Sequence, residues 1–374
     1  MKVSGDWLTC ETTQNVLGLL TKGGHRAYLV GGCVRNALLG APVSDIDIST
    51  DARPEQVIAL AKSAGLKPIP TGIDHGTITV LDRGIPHEIT TFRRDIATDG
   101  RNATVAFSDN ILDDAQRRDF TMNALYADAS GAVLDPLGEG VQDLIARRVR
   151  FVGDPHIRIR EDYLRILRFF RFTAWYGTDL DPDGMAACAE LADGMGRLSR
   201  ERIGNEMRKL LAAPDPTPAI ASMHHAGVLA QTLPAADIRA LGPLIHLAPN
   251  ADWLARLAAL SGENPAEALR LSKSEARDLN QLREAAIGAM GARELGYRLG
   301  ATAAANALAL RCALLEMPPT DTAQDIAIGA AAQFPVKAAD LMPALKGPAL
   351  GARLKELESR WIASGMTLTR DDLL

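Results

Sequence analysis

Gly31-Gly32-Cys33-Val34-Arg35, followed ten residues later by Asp45-Ile46-Asp47, is the stretch on which the reading of this chain turns. Ala27 to Val30 is a short apolar run that reads as a strand entering the glycines, and residues 34–39 read as a helix stopped by Gly40. A strand, two glycines and a helix start aim backbone N–H groups at an anion. Arg35, one turn further on, can add a two-pronged clamp on a phosphate. An ordinary strand-to-helix turn has the same pattern, so the residues that follow decide between the two. Residues 44–49 read as a strand in which Asp45 and Asp47 alternate with Ile46 and Ile48. That alternation predicts both carboxylates on one face.

A second strand-like run, His87-Glu88-Ile89-Thr90-Thr91-Phe92-Arg93, offers Glu88 as a third carboxylate. Three hard oxygen donors on rigid strands suit Mg²⁺, and a pair of such ions activates an attacking hydroxyl and stabilises a leaving pyrophosphate. By itself Asp45-Ile46-Asp47 also reads as a strand with one wet face; the glycine turn before it and the acidic strand after it favour the metal site.

Around this nucleus, residues 9–20 read as an amphipathic helix ending at Gly23-Gly24, and residues 54–64 as a helix begun by Pro54 and closed by Gly65. Residues 77–81 and 87–92 form a hairpin with Asp82-Arg83-Gly84 at its turn. Residues 95–110 are polar and rich in Gly, Asp and Asn, and read as a mobile loop. Residues 1–145 are therefore α+β with a small mixed or antiparallel sheet. Without a βαβ repeat or a G-x-G-x-x-G turn they exclude a dinucleotide fold.

The length of 374 residues suggests two or three structural units. A net charge of −5 excludes a polycation, so any nucleic-acid contact must come from local basic clusters. Cys10, Cys33, Cys188 and Cys312 have no zinc-type spacing and fit a reducing compartment. No apolar run is long enough for a bilayer, and the uncharged residues 216–236 contain Pro218, Pro234 and His224-His225.

Arg117-Arg118-Asp119-Phe120-Thr121-Met122-Asn123-Ala124-Leu125 reads as the start of a helix. There Asp119 can accept from ribose hydroxyls while Arg118 and Asn123 face phosphate or base; a solvated charge run is the other reading. From Asp154-Pro155, an N-cap and first helical residue, the pattern is helical. Residues 162–175 read as one strong helix ended by Gly177, which puts Asp162 and Arg165 on a shared face and Glu161 four residues from Arg165. Plain intrahelical ion pairing accounts for this spacing. So does a more pointed chemistry: cytosine and adenine both offer an exocyclic amine beside a ring-nitrogen acceptor, which Asp162 and Arg165 complement. Guanine and uracil present a carbonyl where Asp162 needs a donor, at about 1–3 kcal/mol per unpaired group. Eight arginines from Arg147 to Arg171, and Arg202, Glu206 and Lys209 along a helix capped by Ser199, flank this segment. Arginine rather than lysine there favours phosphate contact over a merely solvated face.

Together these residues resemble the class II tRNA nucleotidyltransferase and bacterial poly(A) polymerase family, of the polymerase β-like superfamily. The resemblance runs through six ordered motifs between Ala27 and Leu211. Gly31, Gly32 and Arg35 with Asp45 and Asp47 are similar to its metal and triphosphate motif, and Glu88 matches its third acidic residue. Arg118, Asp119 and Asn123 match its ribose motif. Asp135-Pro136 with Gly138, Gly140 and Asp143 resembles its hinge. Glu161, Asp162 and Arg165 match the amino-acid template that pairs with incoming CTP, then ATP; Arg202, Glu206 and Lys209 resemble its last neck motif. The residue after Arg35 is usually aspartate and here is Asn36, and the hinge has Gly138-Glu139-Gly140 where paired glycines are common.

The resemblance implies an α+β N-terminal nucleotidyltransferase head with a small mixed sheet, followed by an all-α C-terminal region. Residues 1–145 would be the head, 146–215 a helical neck recognising the nucleobase, and 216–374 a body and tail binding tRNA. It implies addition of CCA to tRNA 3′ ends in the cytoplasm, with CTP, ATP and tRNA as partners and neither a membrane nor a protein partner. Asp45 and Asp47 would hold Mg²⁺ in a two-metal site with Glu88 as the third catalytic residue. Gly31, Gly32, Arg35, Arg118, Asp119, Asn123, Asp162, Arg165 and Arg168 would bind nucleotide. In the family a flexible loop at the position of residues 99–107 helps switch specificity from C to A; its length here favours full CCA addition over a CC-only enzyme. The absence of a basic extension after Ser364 favours it over a poly(A) polymerase. Two other classes were weighed: a non-catalytic RNA-binding protein, disfavoured by the intact acidic set, and a metal phosphohydrolase, disfavoured because none of the seven histidines falls in an H-D or H-x-H pair.

Overall fold

Four apolar residues, Ala27–Val30, form strand β1 near the middle of a seven-stranded sheet that places everything in the site. The computed structural model describes residues 1–99, 102–342 and 344–374, which divide into two units, Met1–Thr232 and Leu233–Leu374. The division lies later than residue 215, because helices Thr217–His225 and Val228–Thr232 belong with the first unit.

The first unit opens with helices α1 (Asp6–Thr9) and α2 (Glu11–Lys22), then β1, α3 (Gly32–Leu38), β2 (Asp47–Thr50), α4 (Pro54–Ser63), β3 (Lys67–Gly72), β4 (Thr77–Asp82) and β5 (Ile85–Thr91). A separate ribbon follows, β6 (Arg93–Asp99) and β7 (Asn102–Phe107). After it come α5 (Ile111–Gln116), β8 (Tyr126–Ala127), β9 (Val133–Leu134), α6 (Gly140–Ile145) and β10 (Arg148–Val149). Then come α7 (Pro155–Glu161), α8 (Leu164–Tyr176), β11 (Asp179–Leu180), α9 (Pro182–Glu190) and α10 (Arg200–Leu211). The strand order is β3-β4-β5-β2-β1-β8-β9, and only β2 and β5 run parallel, so the sheet is mixed. Leu29, Ile48, Ile78, Val80 and Ile89 are fully buried beneath Val16, Leu17 and Leu20 of α2 and Val57 of α4. The β4–β5 turn rests on Arg83 (φ 50°) and Gly84 (φ 83°), two consecutive left-handed residues that match the twist of the hairpin.

Four local features differ from expectation. Residues 95–110 are mostly a ribbon rather than a loop, with Arg93 opposite Phe107 and Asp99 opposite Asn102; Gly100 and Arg101 lie outside the described residues. A two-stranded ribbon off the main sheet buries little, so its sequence lacks the apolar alternation that marks a strand. Residues 117–125 do not open a helix. They follow α5, and only Thr121–Asn123 makes a single 3₁₀ turn. Phe120 pairs with Phe151 as in a sheet, with Thr121 N–H to Arg150 C=O at 2.9 Å and Val152 N–H to Asp119 C=O at 3.0 Å, and this consumes the backbone groups a helix would need. The helix expected over residues 162–175 is present and ends at Gly177, but it begins at Leu164. Asp162 is extended (φ −155°, ψ 108°), and its Oδ1 accepts from Leu164 N–H at 3.1 Å. This caps α8 after α7 has ended, as short acidic side chains do. Asp162 and Arg165 therefore do not share a helix face. At the acidic strand the pairing begins at Asp47, so Asp45 precedes β2, although Ile46 C=O still accepts from Glu88 N–H at 3.2 Å.

An aromatic cluster seats α8 on the sheet unit. Phe120 lies 5.0 Å from Phe151 and 5.2 Å from Phe172, and Phe151 lies 5.5 Å from Phe169. The second unit has helices from Leu241–Leu247 to Arg370–Leu373 and no named strand among the described residues. Part of its core is Leu357, Trp361 and Leu373 with Tyr297 and Phe334.

Phe169 is fully buried in the aromatic cluster. Phe169→Ala should destabilise the first unit by about 3–5 kcal/mol, read as a lower midpoint in urea unfolding.

Candidate active site

The sheet unit and α8 enclose a cleft of about 770 Å³ that is acidic on one side and basic on the other. Its floor is the glycine turn. Gly31 has φ +70° and ψ −120°, and a Cβ there would stand 3.3 Å from Arg118 Nη1, in a backbone region that side chains rarely adopt. Its N–H is tied to Leu125 C=O at 3.1 Å, while Gly32 begins α3 and lines the cleft.

Arg35 is turned inward and is 6% exposed. Its Nε and Nη2 donate to Asn36 Oδ1 at 3.1 and 2.8 Å, its Nη1 to Asn123 Oδ1, and its Nη2 also to Tyr176 Oη at 3.0 Å. A guanidinium so engaged braces the turn rather than reaching out to clamp a phosphate. Asn36, at the position usually held by aspartate, uses the donor that an amide has and a carboxylate lacks: its Nδ2 donates to Pro42 C=O at 2.8 Å.

The acidic side follows from the parallel pairing of β2 and β5. Asp47 on β2 lies opposite Glu88 on β5, and Asp45 stands two residues ahead, its Oδ2 accepting from Ser44 Oγ at 3.0 Å. All three line the cleft. Burial pushes the Asp47 carboxyl up to about 6, the nearby charges of Glu88 and Asp45 add to the rise, and Arg118 opposes it. Among the described residues no three His, Cys, Asp or Glu side chains form a group able to hold a metal by themselves. Mg²⁺, however, is usually held by one or two carboxylates with substrate phosphates completing the shell. A desolvated carboxylate raised by its acidic neighbours is the donor set such a cation relieves, so Asp45 and Asp47 fit the group.

The basic side is held by buried carboxylates. Asp114 is 0% exposed and accepts from Arg117 Nε at 2.8 Å, Arg118 Nη2 at 2.9 Å, Tyr126 Oη at 2.7 Å and Ser49 Oγ at 3.2 Å. Burial would raise its carboxyl, yet Arg118 and Arg117 hold it well below the usual range. Arg118 is fixed in turn by Tyr126 Oη at 3.1 Å and Ser49 Oγ at 3.2 Å. Asp119 accepts from Phe120 N–H at 2.9 Å and Asn123 Nδ2 at 3.0 Å on one oxygen and from Arg168 Nε at 2.8 Å on the other. It is likewise held far below its ordinary value, chiefly by Arg168 against the cost of burial. Arg171, Phe172 and Lys209 complete this wall, with the Phe172 ring lying 4.3, 5.0 and 5.3 Å from the guanidinium carbons of Arg171, Arg35 and Arg168.

The cleft thus brings together Gly31, Gly32, Arg35, Asp45, Asp47, Glu88, Arg118, Asp119, Asn123 and Arg168; Asp162 and Arg165 stand outside its lining. Asp162 Oδ2 accepts from Arg202 Nη2 at 2.6 Å. Arg165 Nη1 donates to Arg158 C=O at 2.7 Å and pairs with Glu161, which Arg158 also holds. The sequence pattern does not single out Asp114, Ser49 or Tyr126, whereas Arg171 belongs to the arginine cluster expected to meet phosphate. Asp114 was the findable one, since it sits three and four residues before Arg117 and Arg118. Ser49 and Tyr126 are brought in by tertiary contact alone.

Fold and site define a nucleotidyltransferase head joined to a helical neck. A family model described as "Poly A polymerase head domain" matches residues 27–150, and another, "Probable RNA and SrmB- binding site of polymerase A", matches residues 177–239; together they cover half of the 374 residues. The chain belongs to the class II tRNA nucleotidyltransferase and bacterial poly(A) polymerase family. It is 41% identical over 209 residues to the CCA-adding enzyme of Anoxybacillus flavithermus, covering 55% of this chain and 51% of that protein. To the human mitochondrial CCA tRNA nucleotidyltransferase 1 it is 42% identical over 211 residues, covering 54% and 48%. The chain spans about half the length of these curated relatives. The crystal structure of the Bacillus stearothermophilus CCA-adding enzyme in complex with CTP superposes with a TM-score of 0.76 at 28% identity, over 94% of this chain and 92% of that one. Enzymes of this kind are typically metal-dependent. Among the described residues no helix is long and apolar enough to cross a membrane.

Two outcomes follow from the electrostatics. Asp114→Ala strands two half-buried guanidinium groups and should cost up to about 3 kcal/mol of stability, seen as a fall in melting temperature. Asp47→Asn should stabilise the metal-free protein above pH 6. The folded pKa of Asp47, about 6, lies above its unfolded value of about 3.9. Its protonated form therefore favours the fold below pH 4, and that contribution is lost as pH rises through 6. Thermal unfolding in chelator should show the variant and wild type merging near pH 4 and separating by at most about 3 kcal/mol at pH 7.

Proposed function

We propose that this protein adds cytidine and adenosine, without a nucleic-acid template, to the 3′ end of tRNA lacking CCA, using CTP and ATP and releasing pyrophosphate. The observation that carries this reading is the two-sided cleft, with Asp45, Asp47 and Glu88 facing Arg118, Arg168, Arg171 and Lys209. A nucleoside triphosphate needs a cation-bearing acidic edge at its α-phosphate and fixed cations along its tail, and few other substrates need both. The printed names of the similar proteins, CCA-adding enzymes and a CCA tRNA nucleotidyltransferase, support the same reading.

Asp45 and Asp47 would hold a divalent cation, Mg²⁺ by the hardness of the donors. When bound it supplies charge neutralisation at the reacting phosphate and a lower pKa for the incoming 3′-hydroxyl. Glu88, exposed on β5 beside Asp47, is placed to accept the hydroxyl proton or to share the cation. Arg118 and Arg168 are immobilised by Asp114 and Asp119 and so meet the triphosphate without an ordering cost. Asp119 and Asn123 face the ribose. Asp162 and Arg165, each held by a neighbouring charge, would read the base edge; selection of C and A over G and U then falls to their acceptor–donor pair. The helices of residues 216–374 would hold the tRNA body, and the work would be done in the cytoplasm.

Transcripts ending before CCA, after C and after CC should each be completed to CCA with CTP and ATP and extended no further; long adenosine tails would instead mark a poly(A) polymerase. Arg165→Ala should erode discrimination against GTP and UTP about tenfold or more while leaving the metal requirement unchanged, and unaltered discrimination would remove Arg165 from base reading.

A further inference from the structure

Four residues lining the cleft, Arg35, Asn123, Asp119 and Arg168, are strung together through their side chains. Arg35 Nη1 donates to Asn123 Oδ1, Asn123 Nδ2 donates to Asp119 Oδ1 at 3.0 Å, and Arg168 Nε donates to Asp119 Oδ2 at 2.8 Å. A fifth residue closes the string. Tyr176 Oη accepts from Arg35 Nη2 at 3.0 Å, and its ring centroid lies 4.1 Å from the guanidinium carbon of Arg35. Tyr176 and Arg168 stand on the same helix, α8, about two turns apart. The circuit therefore leaves α8 at Tyr176, crosses α3 and the 119–123 segment, and returns to α8 at Arg168. Tyr176 alone among the five is not a lining residue.

We infer that Tyr176 is a positioning residue for nucleotide binding: it fixes Arg35 and, through Arg35, the Asn123–Asp119–Arg168 row that the nucleotide meets. The inference rests on the reading that this cleft takes CTP and ATP. Arg35 is buried on its outer side by Phe172 and Tyr176, where a guanidinium must find acceptors and a π-face or pay for desolvation. Without the Tyr176 hydroxyl the guanidinium keeps Asn36 on Nε and Nη2 but loses its hold on the α8 side, and its alignment on Asn123 loosens. Asn123 then loses the partner that orients its amide toward Asp119. Asp45, Asp47 and Glu88 stand on β2, β5 and the loop before β2, outside the circuit, so the consequence falls on nucleotide affinity rather than on the reacting groups.

The test is steady-state kinetics and equilibrium dialysis with CTP and ATP on the full chain, with Tyr176→Phe, Tyr176→Leu, Asn123→Ala and the Tyr176→Phe/Asn123→Ala pair. Tyr176→Phe keeps the stack and loses the hydrogen bond; it should raise the nucleotide KM and Kd about fivefold, with kcat within twofold and KM for the RNA primer unchanged. Tyr176→Leu loses both contacts and should do more. Adding Tyr176→Phe to Asn123→Ala should bring no further loss, because the circuit is already cut. Unchanged nucleotide affinity in Tyr176→Phe, a fall confined to kcat, or multiplying effects in the pair would overturn the assignment. Melting temperatures measured alongside identify a folding defect in Tyr176→Leu, in which case Tyr176→Phe decides. If the wild-type chain neither binds nor incorporates CTP and ATP, the reading of the cleft falls and this inference with it; if it does both and Tyr176→Phe matches it, only the positioning role falls.

Discussion

A buried carboxylate at Asp119 stays ionised chiefly because Arg168 reaches it from another element. The carboxylate stands on the segment that leads into β8; the guanidinium stands on α8. The Asp119 charge is not tolerable alone at that depth, since removing Arg168 leaves it desolvated and largely uncompensated. The sheet unit and the helix that form the two sides of the cleft are thereby obliged to fold against each other. The stacked phenylalanines at 120, 151 and 169 supply the apolar part of the same contact, and the ion pair sets its register. Asp114 repeats the device next door, where its single carboxylate holds two arginines and a tyrosine.

Read this way, the cleft is a charge-separated vessel. Its acidic edge is raised in energy by burial and by like charge on neighbouring strands, and its basic edge is neutralised by two buried carboxylates, Asp114 behind the lining and Asp119 within it. The basic groups can therefore be rigid without being quenched. A surface cluster of the same composition would lose much of its field to water and to side-chain disorder.

Much of this was legible in the residues. The glycine turn, β1, α4, the β4–β5 hairpin and the caps at Asp154 and Ser199 follow from local rules, because glycine, proline and short polar side chains act within a few residues. The acidic residues were found because period-2 alternation leaves a sharp trace. What was missed depends on partners far along the chain. The helix expected at 117–125 gave way to pairing with Phe151, and the helix expected at 162–175 starts two residues later, because Asp162 caps α8 and partners Arg202. Arg35 was expected to face a phosphate, and only the distant Tyr176 and Asn123 reveal that its donors are already engaged. Ribbon residues 93–99 and 102–107 defeat sequence reasoning for a different cause: a pair of strands outside the main sheet, here without apolar alternation, leaves no period-2 trace in the sequence.

The connectivity of β1 has a consequence for how the molecule comes into being. This strand pairs on one side with β2, some twenty residues on, and on the other with β8, about 100 residues on. As the nascent chain leaves the ribosome, β1 carries an unsatisfied backbone edge through the synthesis of five further strands. Contacts of such sequence separation slow folding, since the loop must close before any pairing energy is returned. An open, strongly apolar strand waiting that long is the element of this chain most exposed to mispairing with a neighbour, and so the natural client segment for a holding chaperone.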